Sequence, residues 1–281
     1  MQNQSIIDIS LDNVIGLGVA GNFAHHLEQA GETADFVNVE VDEADAPKGI
    51  FPFYLPAGEH PYLTTYPLSH TTITAPSYEA NLQMEPEVAL LCALTYEDSK
   101  IIAMKPQYFT AYNDCSIRKE GAKKISEKKN WGINSKGYSQ GFIKIDSFSR
   151  GGVMDDFSIA SFLKRDGVIH EYGDDSPALG YSYFYEKLIE WMQNKLNTQE
   201  NFGPLEPLSE RLKTAKYPSH ALISIGATAY TNFGESTFLQ KGDEVYVAIY
   251  NHKQYSHDEI KNNLDSLQSS DTLSLLHQLI Q

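Results

Sequence analysis

The chain has 281 residues and a formal net charge of −15 at pH 7, and 41% of its residues are hydrophobic. This length allows one sizeable domain with a large core, or two small domains. The acidic balance argues against a nucleic-acid backbone as the main partner, and an anionic substrate would need local positive charge from a metal or from a few basic side chains.

The N-terminal third of the chain predicts short strands. Residues 6–19 are strand-like, and residues 23–30 predict a short helix that Gly31 ends. Residues 36–41 alternate apolar and polar side chains, which is typical of a second strand. Residues 49–78 are rich in Pro, Thr and Tyr and favour short strands and turns over long helices.

Glu85 and Glu87 stand one residue apart, directly before an apolar run that is typical of a buried strand. Side chains at i and i+2 of a strand share one face. Two carboxylates held together beside apolar residues repel each other unless a proton or a cation lies between them. Asp114 follows another β-prone stretch about thirty residues on, and it completes a set of three oxygen ligands for a hard divalent cation.

Three later segments carry weaker patterns. Residues 119–129 contain five lysines with few apolar anchors, which is typical of a solvated loop or helix face; an anion-binding patch is the alternative. Residues 181–196 have apolar side chains at helical spacing and predict an amphipathic helix that packs on the sheet. Residues 258–281 also show a helical pattern, in which Ser270 or Asp271 would cap a last helix.

In chain order these motifs resemble the fumarylacetoacetate hydrolase superfamily, over roughly residues 12 to 250. That family carries Asn-Tyr-x-x-His-x-x-Glu, Glu-x-Glu, Asn-Asp-x-Ser-Ala-Arg-Asp, Gly-Lys-Ser-Phe, Thr-Gly-Thr-Pro and Phe-Leu-x-x-Gly-Asp in this order. The corresponding segments here are residues 22–29, 85–87, 113–119, 135–138, 225–228 and 238–243. The resemblance implies an α+β fold, a β-rich mixed β-sandwich roll with peripheral helices, and a homodimer.

No internal repeat or linker divides the chain, which indicates a single domain. It would comprise an N-terminal strand and lid segment (1–45), a metal-binding core (46–252) and a C-terminal helical extension (253–281) that lies outside the resemblance. The resemblance also implies a set of site residues. Glu85, Glu87 and Asp114 would bind Mg²⁺, or else Mn²⁺ or Ca²⁺. The predicted catalytic residues are the base His26, with Glu28 to orient it and His25 as its alternative, and Lys136. The predicted substrate-binding residues are Arg118, Tyr138, Gln140 and Thr228.

Four of the departures from the family motifs bear on the predicted site. Gln29 stands where the family has its lid glutamate, and Lys119 replaces the aspartate of Ser-Ala-Arg-Asp. Ile225 and Ala227 replace the two threonines of Thr-Gly-Thr, although Thr228 follows. Arg118 would then be either a substrate-carboxylate clamp or a structural salt-bridge partner, and Tyr138 and Gln140 would either line the pocket or pack.

The resulting hypothesis is a divalent-metal-dependent, hydrolase-like enzyme whose substrate is a small anionic oxo- or dicarbonyl acid. The reaction would be hydrolysis of a C–C bond or decarboxylation, through a metal-stabilised enolate. Isomerisation or hydration uses the same enolate. A catalytically silent relative that binds a small acid or a protein partner is the first alternative, because of the departures. The second is a dinucleotide-binding oxidoreductase, since Gly16 to Gly21 spell G-x-G-x-x-G after a strand, with acidic Glu40 about twenty residues on.

The remaining expectations concern location. The sequence has no run of about eighteen apolar residues and no signal peptide at its start, so we expect a cytoplasmic protein with no membrane partner. Cys92 and Cys115 lie far apart and without zinc-ligand spacing, so we expect no disulfide framework.

Overall fold

The structure, a computed structural model, describes residues 13–24, 26–39, 41, 43–60, 62–119 and 122–281. The strands are β1 Val14–Ala20, β2 Gly49–Tyr54, β3 Leu68–Ser69, β4 Thr72–Ile73, β5 Leu82–Gln83, β6 Pro86–Glu97, β7 Lys100–Asn113, β8 Ser116–Ile117, β9 Lys136–Tyr138, β10 Ile143–Lys144, β11 Phe157–Arg165, β12 Val168–Pro177, β13 His220–Ala227, β14 Glu244–Asn251 and β15 Leu273–Ile280. The α-helices are α1 His26–Gln29, α2 Ser126–Lys129, α3 Tyr185–Thr198, α4 Leu208–Thr214, α5 Asn232–Ser236 and α6 His257–Asn262.

The larger sheet has the order β2-β1-β13-β6-β7-β9-β3, and β10 pairs with β7. Its centre is the long antiparallel hairpin β6–β7, closed by Asp98 and Ser99, which both have positive φ. A two-residue turn of this kind matches the right-handed twist of the strands. β6 is buried from Pro86 to Cys92, which explains why the apolar run after Glu85 lacks alternation.

A second sheet, of order β12-β11-β14-β15-β4, packs on the hairpin, and β5 and β8 form a two-stranded ladder. One large hydrophobic core fills the space between the sheets and extends under α3. Helix α3 confirms the amphipathic helix predicted for residues 181–196, since Leu188, Trp191, Met192 and Leu196 are all buried on one side of it. The architecture is the predicted β-rich roll with peripheral helices.

The glycines of the G-x-G-x-x-G segment serve the packing of the sheet. β1 pairs antiparallel with β2, and a Cβ added at Gly16 or Gly18 would lie within 2.3 Å of the Phe53 or Phe51 ring. Two adjacent antiparallel strands are not the parallel βαβ unit that binds a dinucleotide. The oxidoreductase alternative is therefore wrong for this segment, and Glu40 lies outside the described residues.

Two predicted elements are also wrong. Residues 33–36 form a 3-10 turn, and residues 37–39 are not a strand. The C-terminal helical pattern gives only the short α6, which Ser256 and Glu259 cap with a capping box, while residues 273–280 form β15. Of the strand predicted for residues 6–19, residues 6–12 lie outside the described part. None of the described helices is long and apolar enough to cross a membrane.

Candidate active site

The site lies at one edge of the larger sheet, where four strand ends meet. The parallel strands β1 and β13 end there at Ala20 and Ala227, β6 begins there at Pro86, and β7 ends there at Asn113. Asp114 follows β7 directly, and its amide donates to the Glu85 carbonyl over 2.9 Å. The pairing of β6 with β7 and this hydrogen bond place Glu85, Glu87 and Asp114 side by side.

Glu85, Glu87 and Asp114 form a compact carboxylate cluster. One oxygen from each lies within 4.8 Å of the others, and the three residues are 3%, 2% and 0% exposed. Buried carboxylates at this spacing need counter-charge or protons. The three residues that the sequence predicted as a set are thus brought together by the fold.

The counter-charge comes from three basic side chains. Lys129 Nζ lies 2.6 Å from Glu85 Oε2 and 2.7 Å from Asp114 Oδ2, between two of the carboxylates. Lys136 Nζ donates to Asp114 Oδ1, and Arg118 Nη1 lies 2.7 Å from Glu85 Oε1. Lys129 and Lys136 are both buried. The prediction that residues 119–129 are solvated is therefore wrong at Lys129 and its neighbour Lys128.

Glu87 has a different environment. No salt bridge among the described residues involves it, and its Oε2 accepts a hydrogen bond from the Gly226 amide over 2.7 Å. Gly226 has φ +117°, and a Cβ there would lie 3.0 Å from the Asn22 side chain, so a glycine is required to aim this amide at Glu87. The glycine of the Thr-Gly-Thr-like segment is thus retained for a structural reason, although both flanking threonines are lost.

These environments push the two glutamate pKa values apart. Burial alone would raise the pKa of Glu85, but Lys129 and Arg118 overcome this and hold that pKa well below its usual value. Burial raises the pKa of Glu87 well above its usual value, and the charges of Asp114 and Glu85 add to the rise. Burial lowers the pKa of Lys136, against the opposing effect of Asp114. Of the two glutamates, Glu85 is therefore ionised, and Glu87 holds a proton more readily.

His26 faces the cluster from α1. Its Nδ1 lies 3.0 Å from the Thr228 carbonyl oxygen, which only accepts, so Nδ1 carries the proton and Nε2 is the free base. Nε2 lies 4.0 Å from Glu85 Oε2. Burial lowers the pKa of His26, although Glu85 opposes the effect, so the neutral form is favoured.

Gln29 holds α1 in this position. Its Nε2 donates to the Tyr230 carbonyl over 3.0 Å, and its Oε1 accepts from the Tyr230 amide over 2.8 Å. Only an amide side chain can make both hydrogen bonds. This gives a structural reason for Gln29 at the position where the fumarylacetoacetate hydrolase motif has a glutamate. Glu28 is exposed and does not line the carboxylate cavity, and His25 lies outside the described residues.

Two adjoining cavities share Glu32. The inner one is lined by the three carboxylates, His26, Lys129 and Ala227, and its free volume of about 20 Å³ holds a single water-sized particle. The outer one has a volume of about 460 Å³ and is lined by Arg118, Lys119 and Lys128. Glu32 lies between them and bridges Arg118 Nη1 at 2.9 Å and Lys128 Nζ at 2.8 Å.

The predicted substrate-binding residues fall in different places. Arg118 is held by Gln83, Glu32, Glu85 and the Tyr230 hydroxyl, so it has a structural role in this state of the site. Thr228 is buried beside His26, and its hydroxyl has no hydrogen-bond partner among the described residues. Tyr138 packs against His70 and Phe142, and exposed Gln140 lines a separate cavity of about 420 Å³.

Comparison with known proteins places the chain in a family. A profile described as a family of unknown function (DUF5718) matches residues 32–280. The chain belongs to this family. The curated proteins contain no match to it.

Solved structures define the fold. The chain is similar to Cg1458 with inhibitor (15% identity, 95% of this chain and 77% of the other, TM-score 0.55). It is also similar to 2-keto-3-deoxy-D-arabinonate dehydratase complexed with magnesium and 2,5-dioxopentanoate (15%, 96% and 73%, TM-score 0.52). A third similar structure is a protein from Yersinia pestis CO92 assigned to the fumarylacetoacetate hydrolase family (16%, 86% and 91%, TM-score 0.51). These structures confirm the fold that the resemblance implied.

The donor set of the site fits a hard divalent cation. All three ligand groups are carboxylates, and such oxygen ligands are those that Mg²⁺ and Ca²⁺ prefer. Glu85 Oε1 and Asp114 Oδ2 lie close to cationic nitrogens without the alignment of a hydrogen bond, so their lone pairs are not committed. The residue that sequence reasoning missed is Lys129, because nothing in a run of lysines marks the one that turns inward.

Proposed function

We propose that this protein is a metal-dependent enzyme that acts on a small anionic oxo- or dicarbonyl acid. The observation that carries the proposal is the buried cluster of Glu85, Glu87 and Asp114, whose oxygens lie within 4.8 Å of one another beside a neutral histidine. The solved neighbour that holds magnesium and 2,5-dioxopentanoate supports it, because that ligand is a small acid with two carbonyl groups.

The metal, Mg²⁺ or else Mn²⁺ or Ca²⁺, would be held by these three carboxylates and would supply Lewis acidity for enolate charge. His26 Nε2 is the proton acceptor, because its other ring nitrogen is fixed on the Thr228 carbonyl. Lys136 orients Asp114 through their ion pair. The unpartnered Thr228 hydroxyl beside His26 is a hydrogen-bond donor for substrate.

The outer cavity is the proposed access path. Arg118, Lys119 and Lys128 line it together with Glu32 and Asp35, so its lining carries a net positive charge of one that favours an anion, whereas the inner cavity has no room for a substrate in this state. Substrate binding therefore requires that Glu32 and the α1 segment move away from the cluster. The proposed reaction is C–C bond hydrolysis or decarboxylation, and the proposed assembly is a cytoplasmic homodimer, for which light scattering should give twice the chain's 31.5 kDa.

A catalytically silent relative that binds a small acid or a protein partner is the second candidate. Two observations favour it: a lysine ammonium stands between two of the carboxylates, and Gln29 fixes α1 over a cavity of about 20 Å³. Turnover decides between the two candidates.

The test is a screen of acylpyruvates and oxaloacetate with Mg²⁺. We expect turnover by the wild type and a loss of at least about 100-fold in Glu87→Gln, the upper end of the cost of disturbing a metal site. Glu210→Gln, a change of an exposed glutamate on α4, is the matched control and should keep full activity. If metal binds but no substrate is turned over in a Glu87-dependent manner, the silent relative is the better description.

A further inference from the structure

Lys129 places an ammonium group against the carboxylate cluster. Its ammonium lies 2.6 Å and 2.7 Å from oxygens of Glu85 and Asp114, two members of the carboxylate cluster. The side chain is 4% exposed, so solvent screens these contacts little. A divalent ion bound by all three carboxylates would lie against oxygens of the same two residues, beside this ammonium.

Glu85 and Asp114 are already paired with cationic side chains without a metal. Glu85 has Lys129 on one oxygen and Arg118 on the other, and Asp114 has Lys129 and Lys136 in the same arrangement. Burial would lower the pKa of Lys129, but Asp114 and Glu85 overcome this and raise it, so the ammonium stays charged. A second cation added beside this ammonium would meet strong repulsion in a buried site.

The chain offers Lys129 an alternative place. The residue is the last of the four-residue helix α2, and its ammonium lies 5.2 Å from the centre of the Phe51 ring. Glu32 is close enough to contribute to its pKa, and it already binds the preceding lysine, Lys128, at the boundary with the outer cavity. A long, unbranched side chain can swing from the carboxylates toward Glu32 without unfolding α2.

We propose that Lys129 is an internal competitor for the metal: it closes the cluster in the metal-free protein and must withdraw before a divalent ion binds Glu85, Glu87 and Asp114 together. The inference rests on the proposed function, since it assumes that the cluster is a metal site. Its consequence is a site whose apparent metal affinity is reduced by the fraction of molecules in which Lys129 occupies it.

The test is calorimetric titration of Mn²⁺ into the wild type, Lys129→Met and Lys128→Met. Lys128 is the matched control, because it is the adjacent buried lysine and pairs with Glu32 and Asp35 and not with the cluster. We expect Lys129→Met to bind Mn²⁺ at least about tenfold more tightly than the wild type. This factor follows if Lys129 closes the cluster in more than about nine-tenths of the wild-type molecules, because the variant has no such closed state. Lys128→Met should change the affinity less than twofold.

Equal affinity of the wild type and Lys129→Met would overturn the competition while leaving the metal site in place. Absence of Mn²⁺ binding in all three proteins would overturn both this inference and the proposed function. The two failures are therefore distinguishable.

A second measurement does not depend on the folding of a variant. A crystal of the wild type soaked in Mn²⁺ should show an anomalous peak at the three carboxylates and Lys129 Nζ withdrawn beyond salt-bridge distance from Glu85 and Asp114. A bound ion with Lys129 Nζ still in contact with both carboxylates would overturn the inference.

Discussion

Single residues of this site owe their chemistry to burial and to the charge beside them. Glu85 and Glu87 are two residues apart and equally buried, yet the pKa of one is held well below the usual value and that of the other is raised well above it. The difference arises because Lys129 and Arg118 form salt bridges with Glu85 and not with Glu87. Position in a sequence motif therefore does not fix the protonation state of a carboxylate, whereas its partners do.

The pH dependence of stability should report the buried histidine. The pKa of His26 is lowered in the folded state, so between that value and the unfolded value of about 6.5 the unfolded chain binds more protons. Stability is therefore lost as the pH falls below about 6.5. A tenfold difference in proton affinity between the folded and unfolded states corresponds to about 1.4 kcal/mol of this loss.

We expect His26→Gln, studied in EDTA by urea unfolding, to lose less stability than the wild type between pH 7.5 and pH 5.5. The raised pKa of Glu87 acts in the opposite direction, since there the folded state binds the extra proton. Both proteins share that contribution, so the difference between their slopes isolates His26. Identical slopes would show that His26 is not held neutral.

The sequence predicted the three clustered carboxylates but not the lysine that lies between two of them. Glu85 and Glu87 could be recognised because paired carboxylates before a buried apolar run are physically unusual. Lys129 could not be recognised, because lysine runs are commonly solvated. Its side chain is directed into the protein by the packing of α2 on β2 and β8, which the sequence does not show.

Elements of the fold explain both the misleading glycine motif and the misleading helical pattern at the C-terminus. Gly18 stands directly opposite Phe51 in the β1–β2 ladder, and the Phe51 ring covers the place of a side chain. An aromatic ring lying over a cross-strand glycine is a packing arrangement that the letters G-x-G-x-x-G do not distinguish from a phosphate-binding turn.

A double-mutant cycle tests this packing role. We expect Gly18→Ala to destabilise the protein by about 1–3 kcal/mol, because the new methyl group overlaps the Phe51 ring. Adding Phe51→Leu, which removes the ring, should recover part of that loss, and the cycle should give a coupling of more than about 0.5 kcal/mol. Strictly additive effects in urea unfolding would contradict the proposed contact.

β15 has a sequence that resembles a helix because two of its inward residues are polar. Every second residue is buried, namely Ser274, Leu276, Gln278 and Ile280. Ser274 Oγ accepts from the Ala111 amide over 2.9 Å, and Gln278 Oε1 accepts from Asn113 Nδ2 over 3.0 Å. These hydrogen bonds to β7 satisfy the buried polar groups. In the sequence, however, the two polar residues interrupt the alternation of apolar and polar side chains that marks a strand, and the remaining leucines stand at helical spacing.

The whole molecule is one roll in which the C-terminal residues complete the second sheet. β15 pairs with β14 and with β4, so the segment predicted as a helical extension is part of the core. The predicted fold class is confirmed. Four strands that carry or adjoin motifs, β1, β6, β7 and β13, each have one end at the same edge of the larger sheet, so the topology brings these motifs together although they lie far apart in the sequence. The boundary between the two cavities depends on contacts of Glu32 with Arg118 and Lys128, which lie far from it in the sequence, and no local pattern in the chain predicts such contacts.

Glu85, Glu87 and Asp114 are proposed to bind one divalent ion together. Glu87 is the informative position, because it has no salt bridge in the described part of the chain and because a glutamine there keeps an oxygen for the Gly226 amide. Glu87→Gln therefore removes a ligand charge without leaving Lys129, Lys136 or Arg118 unpaired.

The most direct measurement is equilibrium dialysis of Mn²⁺ against the wild type and Glu87→Gln, with the bound metal counted per chain. We predict one ion per chain in the wild type and an affinity at least about tenfold weaker in Glu87→Gln. A wild type that binds no ion, or a variant that binds it as tightly as the wild type, would contradict the claim.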